Sequence, residues 1–449
     1  MKNLFPLLLA AALSTPALAQ APRDDVAWSI VEGLTTEIGQ RLAGTEAEAR
    51  ARDWAVVKLK ALGFSNVRIE PFMMPTWVRG EESASLIAPV PHKLALTALG
   101  NSGATPPAGL TGEIVAFRDF DAFKAAPDAM VRGKIVYVGH FMKAAQDGAS
   151  YGYSGMVRRQ GPNLAAKKGA VAMVIRSIGT SNHRTPHTGN TSWEKDVTPI
   201  PAAALSNPDA DLIERMVARG AAPLKLKLLL TPKFIGQQQS GNVIAEVPGS
   251  DPEAGIVLVG GHLDSWDLGQ GAVDDGAGVA ITAAAAKAVM DSGKKPRRTI
   301  RVVWFGAEEV GIFGGFAYFA AHGKEKHALA AESDFGADRV WRVDFRLPPA
   351  AKPLADRIVS ALAPLGITPS RELAADGADI GLLLGAGVNS VALQQDGSRY
   401  FDLHHTPDDT LDKIDRVQFA QNVEAWTAMI DLVANAPEDL PSGQGEARK

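Results

Sequence analysis

Histidines and carboxylates gather in four short segments of this 449-residue chain. They are Gly260-Gly261-His262-Leu263-Asp264-Ser265, Gly271-Ala272-Val273-Asp274-Asp275-Gly276, Ala307-Glu308-Glu309 and His404-His405-Thr406. Imidazole and carboxylate are the ligand types of a hydrolytic metal site. The chain has no cysteine, which excludes thiolate ligands, disulfides and a cysteine nucleophile together. Any metal must therefore be held by His and carboxylates. His262, Asp274, Glu309, Asp334 and His405 supply two imidazoles and three carboxylates. If Asp274 bridges, each of two ions receives a His, a terminal carboxylate and a share of the bridge, with positions left open for water. Two ions about 3.5–4 Å apart lower the pKa of such a water toward about 7 and polarise a carbonyl.

Glu308 leaves its strand in a different direction from Glu309, so one can bind metal while the other takes the proton of the attacking water. Asp264, two residues past His262, can accept the other ring N–H, and Asp379 is a candidate for the same service to His405. Asp275 supports the site from beside the bridge. Each fragment alone is ordinary: His-x-Asp as a surface hydrogen bond, Glu-Glu as a solvated helix start, Asp-Asp-Gly as a turn or N-cap. Four of them in order, each past a strand or in its loop, are not.

Strands must place these residues. The apolar run 256–259 predicts a buried parallel strand, which puts His262 and Asp264 in the crevice at the strand end. Further strands are expected near 243–247, 299–305, 329–333 and 391–394. Helices are expected near 277–290, 315–322, 353–365, 379–384 and 417–433. This alternation predicts an α/β fold with a mixed, mostly parallel central sheet flanked by helices. A further helix is predicted over 45–62, with Thr45 and Glu48 as a capping-box pair. Pro71, Pro75, Pro89, Pro91, Pro106 and Pro107 punctuate a departure from this domain. From 111 to 232 short strands dominate, with one helix over 163–168, and the polar stretch 236–242 reads as the linker back. The expected division is a discontinuous domain over 20–90 and 236–440, a mostly-β insertion over 91–235, and a flexible tail over 441–449.

The first residues read as an export signal occupying 1–19: Lys2, an apolar stretch over 4–13, then Ala17-Leu18-Ala19. Ten apolar residues are too few to span a bilayer, and no later segment is long and apolar enough. A periplasmic or secreted protein is expected. Net charge is −4 with pI near 6.2, and no basic run suggests nucleic acid.

The segments resemble a known family. Trp77-Val78-Arg79-Gly80-Glu81-Glu82-Ser83, Pro186-His187-Thr188-Gly189, Gly261-His262-Leu263-Asp264-Ser265-Trp266-Asp267, Ala307-Glu308-Glu309, Glu332-Ser333-Asp334 and His404-His405 are similar to the zinc exopeptidases of peptidase family M28, in particular its secreted carboxypeptidase Q branch. The resemblance runs from Trp77 to His405. It implies two zinc ions per chain, one on His262 and Asp334, the other on Glu309 and His405, with Asp274 shared and Glu308 as base. It implies a cis Asp274–Asp275 peptide, an insertion resembling a protease-associated domain, and a homodimer acting on peptides. Many family members carry Tyr before the last ligand His, where this chain has His404. His404, His187, Tyr400, Arg399 and Trp266 are candidates to contact substrate: His404 could donate a hydrogen bond, His187 could line the cleft, and Arg399 and Tyr400 could receive a carboxylate.

Three alternatives stay open beside an exopeptidase of dipeptides or short peptides. One is an aminopeptidase acting on longer peptides. Another is a zinc acyltransferase or deacylase of the glutaminyl-cyclase kind on the same fold. The third is a binding protein without activity, against which all five ligand candidates and the base are present.

Overall fold

The computed structural model describes residues 25–441 apart from 221, 222 and 376. The expected signal peptide lies outside the described residues, as does the expected tail beyond residue 441. Sixteen strands run among the described residues. Those upstream of the central motif are β1 (Ser65–Val78), β2 (Glu82–Ala88), β3 (His92–Leu94), β4 (Leu96–Ala98), β5 (Leu110–Phe117), β6 (Ile135–Val138), β7 (Ala172–Arg176), β8 (Ala202–Leu205), β9 (Lys225–Leu230) and β10 (Lys233–Val247). Downstream lie β11 (Ile256–His262), β12 (Thr299–Phe305), β13 (His327–Glu332), β14 (Val340–Arg346), β15 (Thr368–Pro369) and β16 (Ser390–Gln395).

They form three sheets, ordered β1-β10-β12-β11-β13, β15-β14-β16 and β3-β2-β9-β5-β6-β7-β8-β4. The first is mixed as expected: β11 lies parallel to β12 and β13, while β1/β10 and β10/β12 are antiparallel. The apolar run of β11 is buried between neighbours on both sides, so the strand is central and its end delivers His262. On one face the helix Ala277–Asp291 is buried over almost its whole length by its alanines, against the helices Asp25–Gly33 and Arg416–Asn435.

Several boundaries differ from those expected. The stretch 236–242 is not a linker but part of β10, which pairs with β1 over Ser65 to Val78. Residues 233–239 of the strand are exposed or half-buried and 240–242 are buried together, so no alternating buried face imposes a period-two pattern. Pro71 and Pro75 likewise lie inside β1, tolerated because β1 is the edge strand. The eight-stranded third sheet takes in β2, so its strands run from Glu82 to Leu230, against an insertion expected over 91–235. That unit also carries the helices Ser150–Lys167 and Asn207–Ala218, and β5 to β8 run parallel, so it is less purely β than its short strands suggest. At Thr45 only half the capping box forms. The hydroxyl accepts from Glu48 N, while the Glu48 carboxylate turns to Arg52 and Ser240.

The two large sheets are tied together. Arg79, just past β1, donates to both oxygens of Asp267 (2.8 and 2.9 Å) and to Glu82 (3.0 Å). One hydrophobic cluster includes Val138 and Ile175 of the insertion together with Val259 and Val302 of the first sheet.

Candidate active site

His262 closes β11 and is buried. Its Nδ1 lies 3.0 Å from the main-chain oxygen of Asp264, which makes Nδ1 a donor and turns Nε2 to the carboxylates. Nε2 faces Asp274 Oδ1 at 3.1 Å and Asp334 Oδ1 at 3.4 Å. His405 repeats the arrangement: Nδ1 lies 3.0 Å from Thr188 O, and Nε2 faces Glu309 Oε2 at 2.7 Å and Asp274 Oδ2 at 3.3 Å. The five ligand candidates therefore form two groups that meet at the Asp274 carboxylate. Two of their buried oxygens, Asp274 Oδ2 and Glu309 Oε1, have no hydrogen-bond donor among the described residues. Imidazole nitrogens turned to buried carboxylates, two of whose oxygens lack a donor, are what a divalent cation satisfies, so the residues fit a metal.

The electrostatics agree. Burial pushes the Asp264 carboxyl up to about 7, Asp409 up to about 7 and Glu332 up to about 8. Burial also pushes Glu308, Asp275 and Asp379 well above the usual carboxylate range, reinforced by neighbouring carboxylates. Burial alone would depress His262 and His405, but Asp334 and Asp274 around the first and Glu309 and Asp274 around the second hold both well above the ordinary imidazole value. Burial would raise Asp274 too, yet the imidazoles of His404, His262 and His405 outweigh it and hold it well below the usual range. The cluster carries more buried acid than the chain's own cations offset.

The local backbone explains the placement. Gly261 must be glycine, because a Cβ there would meet Asp275 Oδ2 at 2.2 Å. Asp275 uses that space to accept from His262 N and Gly278 N, both at 3.0 Å, and so fixes the end of β11 against the following helix. The Asp274–Asp275 peptide is cis, as the resemblance implies. After β12, Ala307 takes φ 59°, and the last ligand candidate, His405, takes φ 55°. Such left-handed non-glycine positions concentrate at functional sites.

Two expected supporting roles are corrected. The Asp264 carboxylate does not hold the His262 ring; it stands 3.7 Å from Nδ1 and accepts instead from Glu308 N at 3.1 Å. Asp379 does not serve His405; its Oδ1 accepts from Gly315 N, while its own N–H donates to Glu332. In both cases a main-chain carbonyl does the work, and a carbonyl leaves no mark on the sequence. Among the substrate candidates, Trp266 stacks on His405 at 5.4 Å, and Tyr400 lies 4.8 Å from the His404 ring. His187 lies 2.7 Å from His404 Nδ1. Arg399 is corrected: its guanidinium is engaged with both oxygens of Asp338 and with Lys413 O, so it offers no free fork to a carboxylate. His183 is on the surface.

Other residues of the site carried no sequence signal that was used. Asp409 accepts from three consecutive amides, Ala272 N (2.9 Å), Val273 N (2.6 Å) and Asp274 N (3.2 Å), and so cradles the loop that presents Asp274. Its place four residues after His405, in Thr406-Pro407-Asp408-Asp409, is the hint that could have found it. Arg41, fully buried, braces the same loop from below through Leu263 O, Gln270 O and Gly271 O. From the inserted unit, Asn190 donates to Glu309 O and Arg158 donates to Thr188 O. Burial holds His187 and His404 well below the ordinary imidazole value, and the neighbouring imidazoles and the Arg158 charge add to the effect.

Comparison with known proteins agrees with this geometry. Residues 242–430 match peptidase family M28. The chain is 36% identical over 411 residues to carboxypeptidase Q of Bos taurus, covering 91% of this chain and 85% of that one. The crystal structure of an M28 peptidase precursor from Shewanella amazonensis SB2B superposes with a TM-score of 0.91 at 45% identity, over 94% of this chain and 96% of the other. A zinc aminopeptidase from Bacillus subtilis shares the fold, with a TM-score of 0.66 at 19% identity over 95% and 98% of the two chains. The matched span holds every ligand candidate, and the carboxypeptidase Q likeness extends through the inserted unit: this chain belongs to peptidase family M28.

Proposed function

We propose that the chain is an exported di-zinc exopeptidase that hydrolyses the peptide bond of dipeptides or short peptides. His262 and Asp334 would hold one ion and Glu309 and His405 the other, with Asp274 shared. The observation that carries this reading is the two-sided Asp274 carboxylate, one oxygen 3.1 Å from His262 Nε2 and the other 3.3 Å from His405 Nε2. When bound, a zinc pair supplies Lewis acidity to the scissile carbonyl and lowers the pKa of the attacking water.

The chain's own residues do the rest. Glu308 has its backbone N–H tied to Asp264, and its carboxylate makes no hydrogen bond among the described residues. Both oxygens are thus free to take the proton of the attacking water and hand it to the leaving amine. Beside Asp334 lies a recess walled by Asp147, Glu332, Gln394 and Gln395, with no Lys or Arg among the described residues of its lining. Such a wall suits an ammonium group, which supports substrates with an unblocked amino terminus. The same recess favours the second reading, an aminopeptidase acting on longer peptides. Among the described residues no helix is long and apolar enough to cross a membrane. Export rests on the sequence pattern of residues 1–19, and the homodimer and the protease-associated character of the insertion rest on the family resemblance.

The test is zinc content per chain together with cleavage of a free dipeptide, its N-acetyl form and its C-terminal amide, before and after chelation. The expected result is two zinc ions per chain and cleavage that chelation removes and zinc restores, with the N-acetyl form at least about tenfold poorer, the scale of one lost charged contact. One zinc per chain would favour the acyl-transfer alternative. No metal and no cleavage would leave a binding protein.

A further inference from the structure

Six arginines are buried among the described residues, and five of them have their charge or their donors accounted for. Arg52, Arg176 and Arg301 each pair with at least one carboxylate. Arg41 and Arg298 each donate to three or more main-chain oxygens. Arg158, on the helix Ser150–Lys167 of the inserted unit, is the exception at 6% exposed. Its Nη1 donates to Thr188 O at 2.7 Å, its Nε is buried without a partner, and it forms no ion pair among the described residues. Its Nη2 makes no hydrogen bond among them either and, unlike Nε, is not closed off from solvent. The ring of Tyr151 lies against it, 5.6 Å from the guanidinium carbon.

This guanidinium stands beside the site. Thr188 O accepts both from Arg158 Nη1 and from His405 Nδ1, at 2.7 and 3.0 Å. A Cβ at Gly189 would collide with Arg158 Nη1 and Cζ and with His405 Nδ1, so guanidinium and imidazole crowd the same side of that residue. Arg158 is thus one ring away from the group of Glu309, His405 and Asp274. The acidic recess belongs to the other group, where Asp334 faces His262. Charge across the site is therefore lopsided, with an unpaired cation at the His405 end and surplus acid at the Asp334 end.

A buried guanidinium with most of its five N–H donors unspent is costly unless a negative group joins it. The ligand carboxylates do not serve, because in the reading above their charge is matched by the two ions. A carboxylate brought by the substrate does serve, since its two oxygens match the planar fork. A dipeptide carries its ammonium and its carboxylate on opposite sides of its one peptide bond, the same polarity as the site. Arg399 has no such capacity to spare, being engaged with Asp338.

We propose that Arg158 receives the terminal carboxylate of the substrate and thereby makes free dipeptides the preferred substrates. The inference rests on the peptidase reading of the site. With the ammonium in the acidic recess and the carboxylate on Arg158, the single peptide bond lies across the two ligand groups. Each further residue on the leaving side carries the carboxylate outward by about 3.3–3.6 Å, past the fork.

The experiment compares alanyl-alanine with its C-terminal amide on zinc-loaded wild type, Arg158→Gln and Arg158→Lys. Wild type is expected to prefer the free dipeptide by at least about tenfold in kcat/KM, a preference readable without any variant. Arg158→Gln, whose amide can still donate to Thr188 O, should lower kcat/KM on the free dipeptide about 10- to 100-fold, mainly through KM, the scale of a lost charged contact. The same variant should change cleavage of the amide less than about threefold and leave zinc per chain unaltered. Arg158→Lys keeps the charge without the fork and should recover part of the loss. A merely structural role, in which Arg158 holds Thr188 O and through it His405, would lower both substrates alike. That result overturns the proposal, and so does a wild type that cleaves both equally well. A second arm needs no turnover: calorimetry of the two peptides on zinc-loaded Glu308→Gln, with and without R158Q. The free dipeptide should lose at least about tenfold in affinity and the amide less than about threefold; equal losses, or none, overturn the proposal. Failure of wild type to cleave either peptide sinks the peptidase reading and the role of Arg158 with it, whereas cleavage of both without preference sinks the role of Arg158 alone.

Discussion

His262 and His405 each turn Nδ1 to a main-chain oxygen and Nε2 to carboxylates, so both rings are oriented to offer Nε2 to a cation before any cation arrives. That preorganisation makes single substitutions informative. Glu308→Gln keeps the ligand set and removes only the proton carrier. Zinc per chain should stay at the wild-type value while kcat falls about 10²- to 10⁴-fold, the range of general-base catalysis. Wild-type turnover in that variant would take Glu308 out of the mechanism. Asp274→Ala removes the carboxylate between both imidazoles and should cost both ions, read as zinc per chain after dialysis; two retained ions would place the bridge elsewhere. Ligand types were legible in the sequence because His-x-Asp, Asp-Asp and Glu-Glu are rare in this order at strand ends. Their partners were not. Thr188 O reaches His405 across 217 residues, and Asp264 acts on the ring through its carbonyl rather than its carboxylate, which no side-chain pattern encodes.

At the scale of elements, the site depends on the turn between β11 and the helix Ala277–Asp291. Its inner face is held by Asp409 on three amides and its outer face by Arg41 on the carbonyls of residues 263, 270 and 271. Asp409→Asn replaces one carboxylate oxygen with an NH₂, so a donor would face either Asp274 N–H or the pair from Ala272 and Val273. The loop should loosen, and zinc affinity, measured by competition with a chromogenic chelator, should fall about 10- to 100-fold, as for supporting residues around metal ligands. Unchanged affinity would reduce Asp409 to a structural cap. The strands and helices of the first domain were readable because burial imposes a period: β11 is apolar throughout, and the last helix repeats apolar residues down one face. The inner ends of the β1–β10 ribbon, near 67–70 and 243–247, were legible as short strands, but its outer half escaped because most of it is exposed and Pro71 and Pro75 interrupt it, which in sequence looks like a loop. Asp409 escaped because an acid after Pro407 reads as a turn.

Across the whole molecule, the net charge of −4 hides a strongly uneven distribution. Acid is concentrated where the two large sheets meet, and in the absence of a cation the fold answers with protons: Asp264 and Asp409 titrate at about 7 and Glu332 at about 8, all raised chiefly by burial. A carboxyl whose pKa is higher folded than unfolded binds more protons in the native state between the two values, so stability falls as pH rises through that window. His262 and His405, also raised, add stability at low pH and lose it in the same direction, and Asp274 alone among the ligand candidates with a resolved shift opposes them. Metal-free protein should therefore lose thermal stability as pH climbs from about 5 to about 8, well inside the span from the unfolded carboxyl value of about 4. Binding of two cations replaces those protons and stabilises the native state by mass action, so the zinc-loaded protein should be both more stable and flatter with pH, with protons released on loading. Thermal unfolding of the two forms at several pH values checks this. A metal-free protein whose Tm rises from pH 5 to pH 8 would mean that the buried carboxylates are already neutralised by the chain's own cations, and the argument that this cluster is built around a metal would fail with it.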